Sequence, residues 1–162
     1  MKQLKIKKLD SAKKLPTFEY KTLHSAGLDL ISTEDLTIKG IRSEPCIAGG
    51  SYRGAVSIDQ KLVSTGIIME IPEGYYGQVC ARSGLAVKNK IDVGISPGII
   101  DGDFRGELKV LIRNYGEQDF EIKRGDRIAQ LVLIPYLKAE VLEVEELSDT
   151  ARGNGGFGST GI

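Results

Sequence analysis

The sequence predicts an all-β protein, a sandwich or barrel with one short helix, and three observations support this fold class. Apolar and polar residues alternate with a period of two along most of the chain, as in strands that bury one face. Turn signals such as Pro72-Glu73-Gly74 and Lys123-Arg124-Gly125-Asp126 separate these runs. Helical periodicity is nearly absent outside one segment. Many short strands at turn spacing favour a sandwich or barrel over a βαβ arrangement.

The individual elements follow from these runs. The predicted strands are KQLKIKKL (2–9), KLVSTGIIMEI (61–71), YYGQVCA (75–81), ELKVLIRN (107–114), FEIKRGDRIAQLVLIPY (120–136) and AEVLEVEEL (139–147). The helix is predicted over residues 83–89, two turns at most, with Ser83 able to cap it. Residues 40–57 are rich in glycine and serine and are predicted as a surface insertion, either a long loop or an extra hairpin.

Composition narrows the class of protein. The 162 residues suit a single domain, 1–162, and 22 basic residues balance 22 acidic ones, so no overall charge favours nucleic acid or a membrane. Cys46 and Cys80, with His24 as the only histidine, argue against a zinc site or a disulfide framework. The N-terminus has no secretory apolar core, and no apolar run is long enough to span a bilayer. We therefore expect a cytoplasmic protein.

Two segments in the first half of the chain carry candidate site residues. Asp29 lies inside the apolar run AGLDLIS, and an acid there needs a partner, so it is either a structural hydrogen-bond hub or part of a site. In CARSGLAVKN, Arg82 and Ser83 stand where a strand ends and the helix begins. Free N–H groups beside an arginine and a hydroxyl make an anion site, although an ordinary serine cap with a solvated arginine also fits.

Two further candidates lie in the second half. In GISPGIIDGDFRGELKV, Asp101 and Gly102 are typical of a hairpin turn, in which an aspartate makes local hydrogen bonds. The preceding pair Ile99-Ile100 would instead hold this carboxylate at the rim of a packed surface. There it could act as a general base, since aspartate is ionised at neutral pH. Gln130, at the foot of an apolar strand, either donates to a phosphate or satisfies backbone groups.

The terminal segment RGNGGFGSTG, from Arg152 to Gly161, is the most informative. Glycine has a large ordering cost, so this stretch is either a loose tail or an arm that orders on something else. Its glycines can form an anion-binding nest, its arginine and hydroxyl groups can donate, and Phe157 offers a face for a base. A purely solvating tail has no need of Phe157, which favours a lid. Walker and Rossmann patterns are absent, so the elements together suggest a nucleotide polyphosphate bound in another way.

Five segments resemble, in this order, the trimeric deoxyuridine triphosphate nucleotidohydrolases (dUTPases): AGLDL, ARSGLA, SPGIIDGDFRGELKV, RGDRIAQLVL and RGNGGFGSTG. The resemblance runs from about Leu4 to Gly161. It implies a jelly-roll β fold and a homotrimer with three active sites at subunit interfaces. It also implies hydrolysis of dUTP to dUMP and pyrophosphate with Mg²⁺ on the triphosphate, which lowers dUTP and supplies dUMP for thymidylate synthesis. The glycine-rich C-terminal arm, 149–162, would be flexible and close over the site of a neighbouring subunit.

The resemblance also implies roles for residues. Asp101 corresponds to the base that activates the attacking water, and the backbone of the hairpin Gly98–Ile100 would bind uracil and leave no room for a 5-methyl group. Asp29 would have a weak metal role, through water. The remaining substrate-binding positions implied in this way are Arg82, Ser83, Gly84, Ile95, Ile99, Phe104, Lys109, Gln130, Arg152, Phe157, Gly158, Ser159 and Thr160.

Two residues depart from the family pattern. Phe104 stands where the family usually has a tyrosine against the deoxyribose, and Ile95 stands where an asparagine often lies beside the base or sugar. A dCTP deaminase shares the fold, but it should place a further acid near the base and lacks the IIDGD context. A non-hydrolytic nucleotide-binding module is the other alternative, and the presence of Asp101 together with a complete arm argues against it.

Overall fold

Short strands with alternating side chains make up most of the folded chain. The structure is a computed structural model that describes residues 2–16, 18–48 and 51–156; of residues 43–48 and 51–55 it describes the backbone alone. The strands, in chain order, are β1 (Lys5–Lys8), β2 (Gly27–Ile31), β3 (Leu36–Ile38), β4 (Arg42–Ala48), β5 (Ser51–Ser57), β6 (Gln60–Ser64), β7 (Ile67–Glu70), β8 (Tyr75–Cys80), β9 (Ile91–Val93), β10 (Gly98–Ile100), β11 (Lys109–Asn114), β12 (Phe120–Ile122) and β13 (Arg127–Pro135). A 3₁₀ turn, Asp10–Ala12, and one α-helix, α1 (Ser83–Asn89), complete them.

These strands form separate antiparallel sheets that enclose one apolar core. The largest sheet has the order β10-β8-β13-β2, and a second has the order β6-β11-β9. Two-stranded pairs β1-β7, β12-β3 and β4-β5 complete the layers. The sheets do not close on one another, so the fold is a jelly-roll-like β-sandwich. The prediction of an all-β fold with one short helix is confirmed.

Alternation along the central strands separates a buried face from a half-buried one. Leu28 and Leu30 in β2 and Leu131 in β13 are almost fully buried, and each such side chain contributes about 1.5–3 kcal/mol to folding. Asp29, which stands between Leu28 and Leu30, is half-buried, and so is Gln130, which stands immediately before Leu131. Since Asp29 pairs with Gln130 across the two strands, both polar side chains lie on the same outer face.

Three predicted strands differ from the structure. The run 120–136 is divided into β12 and β13 by the turn at residues 123–126, where the sequence carries a turn signal. The run 61–71 is divided into β6 and β7 because Gly66 between them has φ +67°, a left-handed conformation that interrupts a strand. The prediction for AEVLEVEEL, 139–147, is wrong: the segment forms no strand, and Val141 and Leu147 are about nine-tenths exposed. No neighbouring strand of the described chain pairs with it, so its alternation has nothing to pack against. Strands β3 and β9, of three residues each, were too short to be predicted.

The helix lies where the sequence predicts it, but its cap differs. Arg82 is the N-cap, with extended backbone, and its carbonyl oxygen accepts from the N–H groups of Leu85 and Ala86. Ser83 is the first residue of the helix, and no side chain makes a capping hydrogen bond. The expectation of a Ser83 cap is therefore wrong by one position. No helix in the described ranges combines the length and apolar character that a membrane crossing requires.

The sequence also predicted the structure of the segment 40–57 and a turn at Asp101 and Gly102. Strands β4 and β5, residues 42–48 and 51–57, pair antiparallel, which agrees with the extra hairpin, one of the two alternatives predicted for the segment 40–57. Asp101 and Gly102 do form a turn, in which the Phe104 N–H donates to the Asp101 carbonyl at 3.2 Å. This turn is not a β-hairpin, because β10 pairs with β8 whereas β11 pairs with β6 and β9.

Candidate functional site

A carboxylate between two guanidinium groups lies at the centre of the first candidate site. Asp29 Oδ1 is 3.0 Å from Arg82 Nε, and Asp29 Oδ2 is 3.2 Å from Arg127 Nη1. Arg82 Nη1 also donates to the Arg127 carbonyl at 3.2 Å. The Asp29 side chain is 15% exposed, so this is a largely buried charge that has two partners. Asp29 therefore has the partners that a structural hub requires, and its part in a functional site stays a prediction.

This hub lines a groove of about 490 Å³. Three basic side chains and one acidic side chain line it: Lys21, Arg82, Arg127 and Asp29. The excess of two positive charges makes the groove attractive to an anion. Ser83 and Gly84 border it and are exposed, and open space surrounds the position that a Gly84 side chain would take.

Gln130 lies on the floor of the same groove. Its Nε2 donates to the Ala81 carbonyl at 2.9 Å, one residue before Arg82. A Cβ atom at Gly27 would lie 2.3 Å from Gln130 Oε1, so the side chain folds over the place that glycine leaves open. One amide hydrogen of Gln130 thus holds the end of β8, and its second hydrogen remains for another acceptor. Both alternatives predicted for Gln130 are compatible with this position.

Asp101 lies in a second region, at the end of β10. It is exposed at the edge of a cavity of about 920 Å³, which is also lined by Tyr75, Tyr76, Tyr136 and Ile99. Strand β10 is the outermost strand of its sheet in the described chain, so its outer backbone N–H and C=O groups are available. An edge of this kind can bind a planar ligand with complementary donors and acceptors.

The two regions lie at opposite ends of β8. Ile100 pairs with Gly77, so Asp101 lies beside Tyr76, whereas Arg82 follows the other end of the strand. Six residues of extended chain from Tyr76 to Arg82 correspond to roughly 20 Å. The groove and the cavity share no lining residue. One chain therefore does not bring Asp101 together with Arg82, Ser83 and Gln130.

The structure places most of the other predicted residues. Ile95 and Ile99 are about 60% exposed, Gly98 is buried, and Ile100 is half-buried. Lys109 begins β11 and lies 3.6 Å from Glu107. Phe104 is 42% exposed in the loop after Asp101. Arg152 is exposed, and its Nε donates to the Gly155 carbonyl. Phe157, Gly158, Ser159 and Thr160 lie outside the described residues.

Sequence reasoning missed several residues of the groove, among them Lys21, Gly27 and Arg127. Arg127 completes the charge pairing of Asp29. Its only signal in the sequence was a basic residue at the start of an otherwise apolar run, which does not indicate the partner. Gly27 makes room for Gln130, and no local pattern could have shown this because the two residues are distant in sequence.

Comparisons with known proteins agree with one another. The sequence model of the dUTPase family matches residues 52–161. The chain is 48% identical to the deoxyuridine 5'-triphosphate nucleotidohydrolase of Nautilia profundicola, over 98% of this chain and 99% of that protein. It is 44% identical to the enzyme of the same name from Zymomonas mobilis, over 99% and 98%. Its fold superposes on the Staphylococcus bacteriophage 80alpha dUTPase, a G164S mutant with dUpNHpp, with TM-score 0.77 at 26% identity, covering 99% of each chain.

Proposed function

Because the chain belongs to the dUTPase family and is a dUTP diphosphatase, we propose that it hydrolyses dUTP to dUMP and pyrophosphate with a water molecule activated by Asp101. The observation that carries this mechanism is the position of Asp101, an exposed carboxylate directly after an edge strand whose backbone groups are available. In the cell the reaction would lower dUTP and supply dUMP for thymidylate synthesis.

Uracil would bind to the outer edge of β10. The available N–H and C=O groups of this strand alternate, so they can pair with the imide face of the base as a complementary base would. Gly98 packs against the neighbouring strand β8, since an added Cβ atom would lie 3.3 Å from Val79 Cβ and 3.4 Å from the Ile95 carbonyl oxygen, and this close packing holds the β10 backbone in place. Exclusion of the 5-methyl group of thymine would come from the backbone of this hairpin, as the family resemblance implies.

Hydrolysis would proceed by attack on the α-phosphorus. Asp101 accepts a proton from the water, the new bond joins the water oxygen to the α-phosphorus, and the bond to the α,β-bridging oxygen breaks, so that pyrophosphate leaves. Arg82, Ser83 and Gln130 would donate to the phosphates. These residues act through position and charge, because phosphoryl transfer needs little covalent participation by the protein. Arg152 and the arm residues Phe157 to Thr160 would complete the site when the arm closes.

Mg²⁺ fits this site as an ion carried on the triphosphate. Within the described residues no group of three or more His, Cys, Asp or Glu side chains is placed to hold a metal ion. Each carboxylate oxygen of Asp29 already contacts an arginine, which supports contact with the ion through water. Mg²⁺ keeps several of its water ligands and commonly binds substrate phosphates, and when bound it neutralises their charge.

A homotrimer would bring the two regions together. Since Asp101 and Arg82 lie roughly 20 Å apart along one strand, a complete site needs Asp101 of one chain beside the groove of another. The exposed apolar side chains after β13 support an additional partner: Leu137, Val141 and Leu147 are each about nine-tenths exposed. A ring of three chains with one repeated contact gives three equivalent sites.

The test is pyrophosphate release from dUTP with Mg²⁺, beside UTP, dTTP and dCTP under the same conditions. We expect fast release from dUTP and slow release from the other three. Asp101→Asn should bind dUTP with near-parental affinity and turn over far more slowly, since the general base alone is lost. Release from none of the four nucleotides by the parent protein would refute the proposed function. Near-parental turnover by Asp101→Asn would refute the role of Asp101.

A further inference from the structure

The ring of Phe104 rests on a glycine two residues later in the chain. A Cβ atom built on Gly106 would lie 2.7 Å from Phe104 Cζ and 2.9 Å from Phe104 Cε2. Carbon atoms in van der Waals contact are separated by about 3.5–4.0 Å, so any side chain at this position would overlap the ring edge. Gly106 is exposed, and its missing side chain is therefore not explained by packing in the core.

The backbone that carries Phe104 is held independently of its ring. Arg105 Nη1 donates to the Gly102 carbonyl at 2.8 Å and to the Phe104 carbonyl at 3.0 Å. The Phe104 N–H donates to the Asp101 carbonyl at 3.2 Å. These bonds fix the loop from Asp101 to Arg105, so the remaining freedom of Phe104 is the rotation of its own side chain. Gly106 lies under that side chain, and its missing side chain leaves the space that the ring occupies.

We propose that Gly106 is a positioning residue that sets the angle of the Phe104 ring and thereby the preference for a 2'-deoxy sugar. This inference rests on the proposed function and on the position of Phe104, which stands where the family usually has a tyrosine against the deoxyribose. A phenylalanine has no hydroxyl group through which a hydrogen bond could anchor its ring. Its orientation depends on packing contacts, and the ring lies directly over Gly106. A ring in a fixed position can exclude a 2'-hydroxyl by shape.

Gly106→Ala tests this inference with little risk to the fold. The added methyl group would meet the far edge of a ring that is 42% exposed, so the ring can turn aside and the backbone need not move. We expect the ratio of kcat/KM for dUTP to kcat/KM for UTP to fall by about tenfold, the scale on which one small group in a pocket discriminates. The change should come mainly from better turnover of UTP, with the melting temperature unchanged.

Two further variants separate this role from a general effect of the methyl group. Gly102→Ala is the matched control in the same loop, since its added Cβ atom would approach no atom more closely than the Tyr75 carbonyl oxygen at 3.7 Å. Its dUTP-to-UTP ratio should equal that of the parent. In a Phe104→Ala background, Gly106→Ala should change the ratio no further, because the ring through which Gly106 acts is gone.

A spectroscopic measurement reports the ring position without turnover. The sequence contains no tryptophan, so Phe104→Trp introduces a single tryptophan, whose emission is distinct from that of the six tyrosines, and keeps an aromatic ring at this position. Adding Gly106→Ala should shift its emission to longer wavelength as the ring moves into solvent, whereas adding Gly102→Ala should not.

An unchanged dUTP-to-UTP ratio in Gly106→Ala, from a parent that prefers dUTP, would overturn the inference while leaving the proposed function intact. An unchanged emission would overturn the displacement itself. A parent that hydrolyses no dUTP would overturn the proposed function, and the emission measurement would still decide whether Gly106 positions the ring.

Discussion

Two inactive variants should restore activity when their chains are mixed. Asp101→Asn removes the proposed base, and Arg82→Gln removes a guanidinium group of the groove. Because the two residues lie roughly 20 Å apart along β8, a distance that a single triphosphate does not bridge, each complete site would take them from different chains. A mixed assembly then contains sites in which both residues are native.

The expected recovery follows from counting chains. In an equal, random mixture half of the chains keep Asp101 and the other half keep Arg82. A site that takes one residue from each of two chains is therefore native in about one quarter of cases, given a closed ring of identical contacts. If both residues came from one chain, no site in the mixture would be native, and recovery would be zero. The two assemblies thus predict clearly different activities.

The assay is pyrophosphate release from dUTP after the two variants are unfolded and refolded together. Different affinity tags on the two variants and sequential purification would confirm that mixed oligomers had formed. Each variant refolded alone is the control and should remain inactive. Activity below about one twentieth of the parent in a verified mixture, well under the quarter expected for sites shared between chains, would refute the assignment of Asp101 and Arg82 to different subunits.

Three other predictions concern single contacts. Asp29→Asn removes the charge between two arginines and should lower the free energy of unfolding by about 1–2 kcal/mol, between the values for exposed and buried pairs, measured by urea denaturation. Gly27→Ala should displace the side chain of Gln130 and lower kcat/KM for dUTP as much as Gln130→Ala does, with no further loss in the double variant. The Lys39 ammonium group holds the pKa of Asp119 below its ordinary value, so this pair stabilises the fold above about pH 4 and the contribution is lost as pH falls through the lowered pKa. The melting temperature of Asp119→Asn should therefore lie below that of the parent at pH 7, and the difference should shrink as the pH falls below about 4; a constant difference would contradict the assignment.

The separate elements of the site were largely predictable from sequence because each is local. The Arg82-Ser83-Gly84 turn into α1 and the Asp101 turn after β10 lie where their motifs predict them. What sequence could not supply is the relation between them, since that depends on the order of strands. β10 is antiparallel to β8, and this pairing places the two turns at opposite ends of one strand.

Pairing across distant strands also explains the puzzle of Asp29. Sequence reasoning found an acid within an apolar run and required a partner for it, which was correct as chemistry. The partners are Arg82 and Arg127, the second of which lies 98 residues further along the chain. A single sequence gives no measure of that contact, because the bulge between Arg127 and Ala129 in β13 sets which side chain approaches the carboxylate.

The strand prediction at residues 139–147 failed for a similar reason, since the partner that would cover this segment lies in another chain of the proposed trimer. Alternation of apolar and acidic residues in AEVLEVEEL is the pattern of a strand with one covered face, yet the segment leaves the sandwich after β13 and its apolar side chains are exposed. Exposing Val141, Leu142 and Leu147 together costs several kcal/mol relative to burial, at about 1.5–3 kcal/mol for each side chain.

The proposed trimer accounts for both this exposure and the divided site, since a neighbouring chain would cover the segment while it supplies the missing half of each site. Val141→Asp combined with Leu147→Asp should therefore shift the protein from trimer to monomer in analytical ultracentrifugation and abolish turnover. The control Glu143→Asp, which removes no apolar side chain from this segment and leaves its charge unchanged, should do neither. A doubly substituted protein that stays trimeric and active would show that this segment does not hold the assembly together.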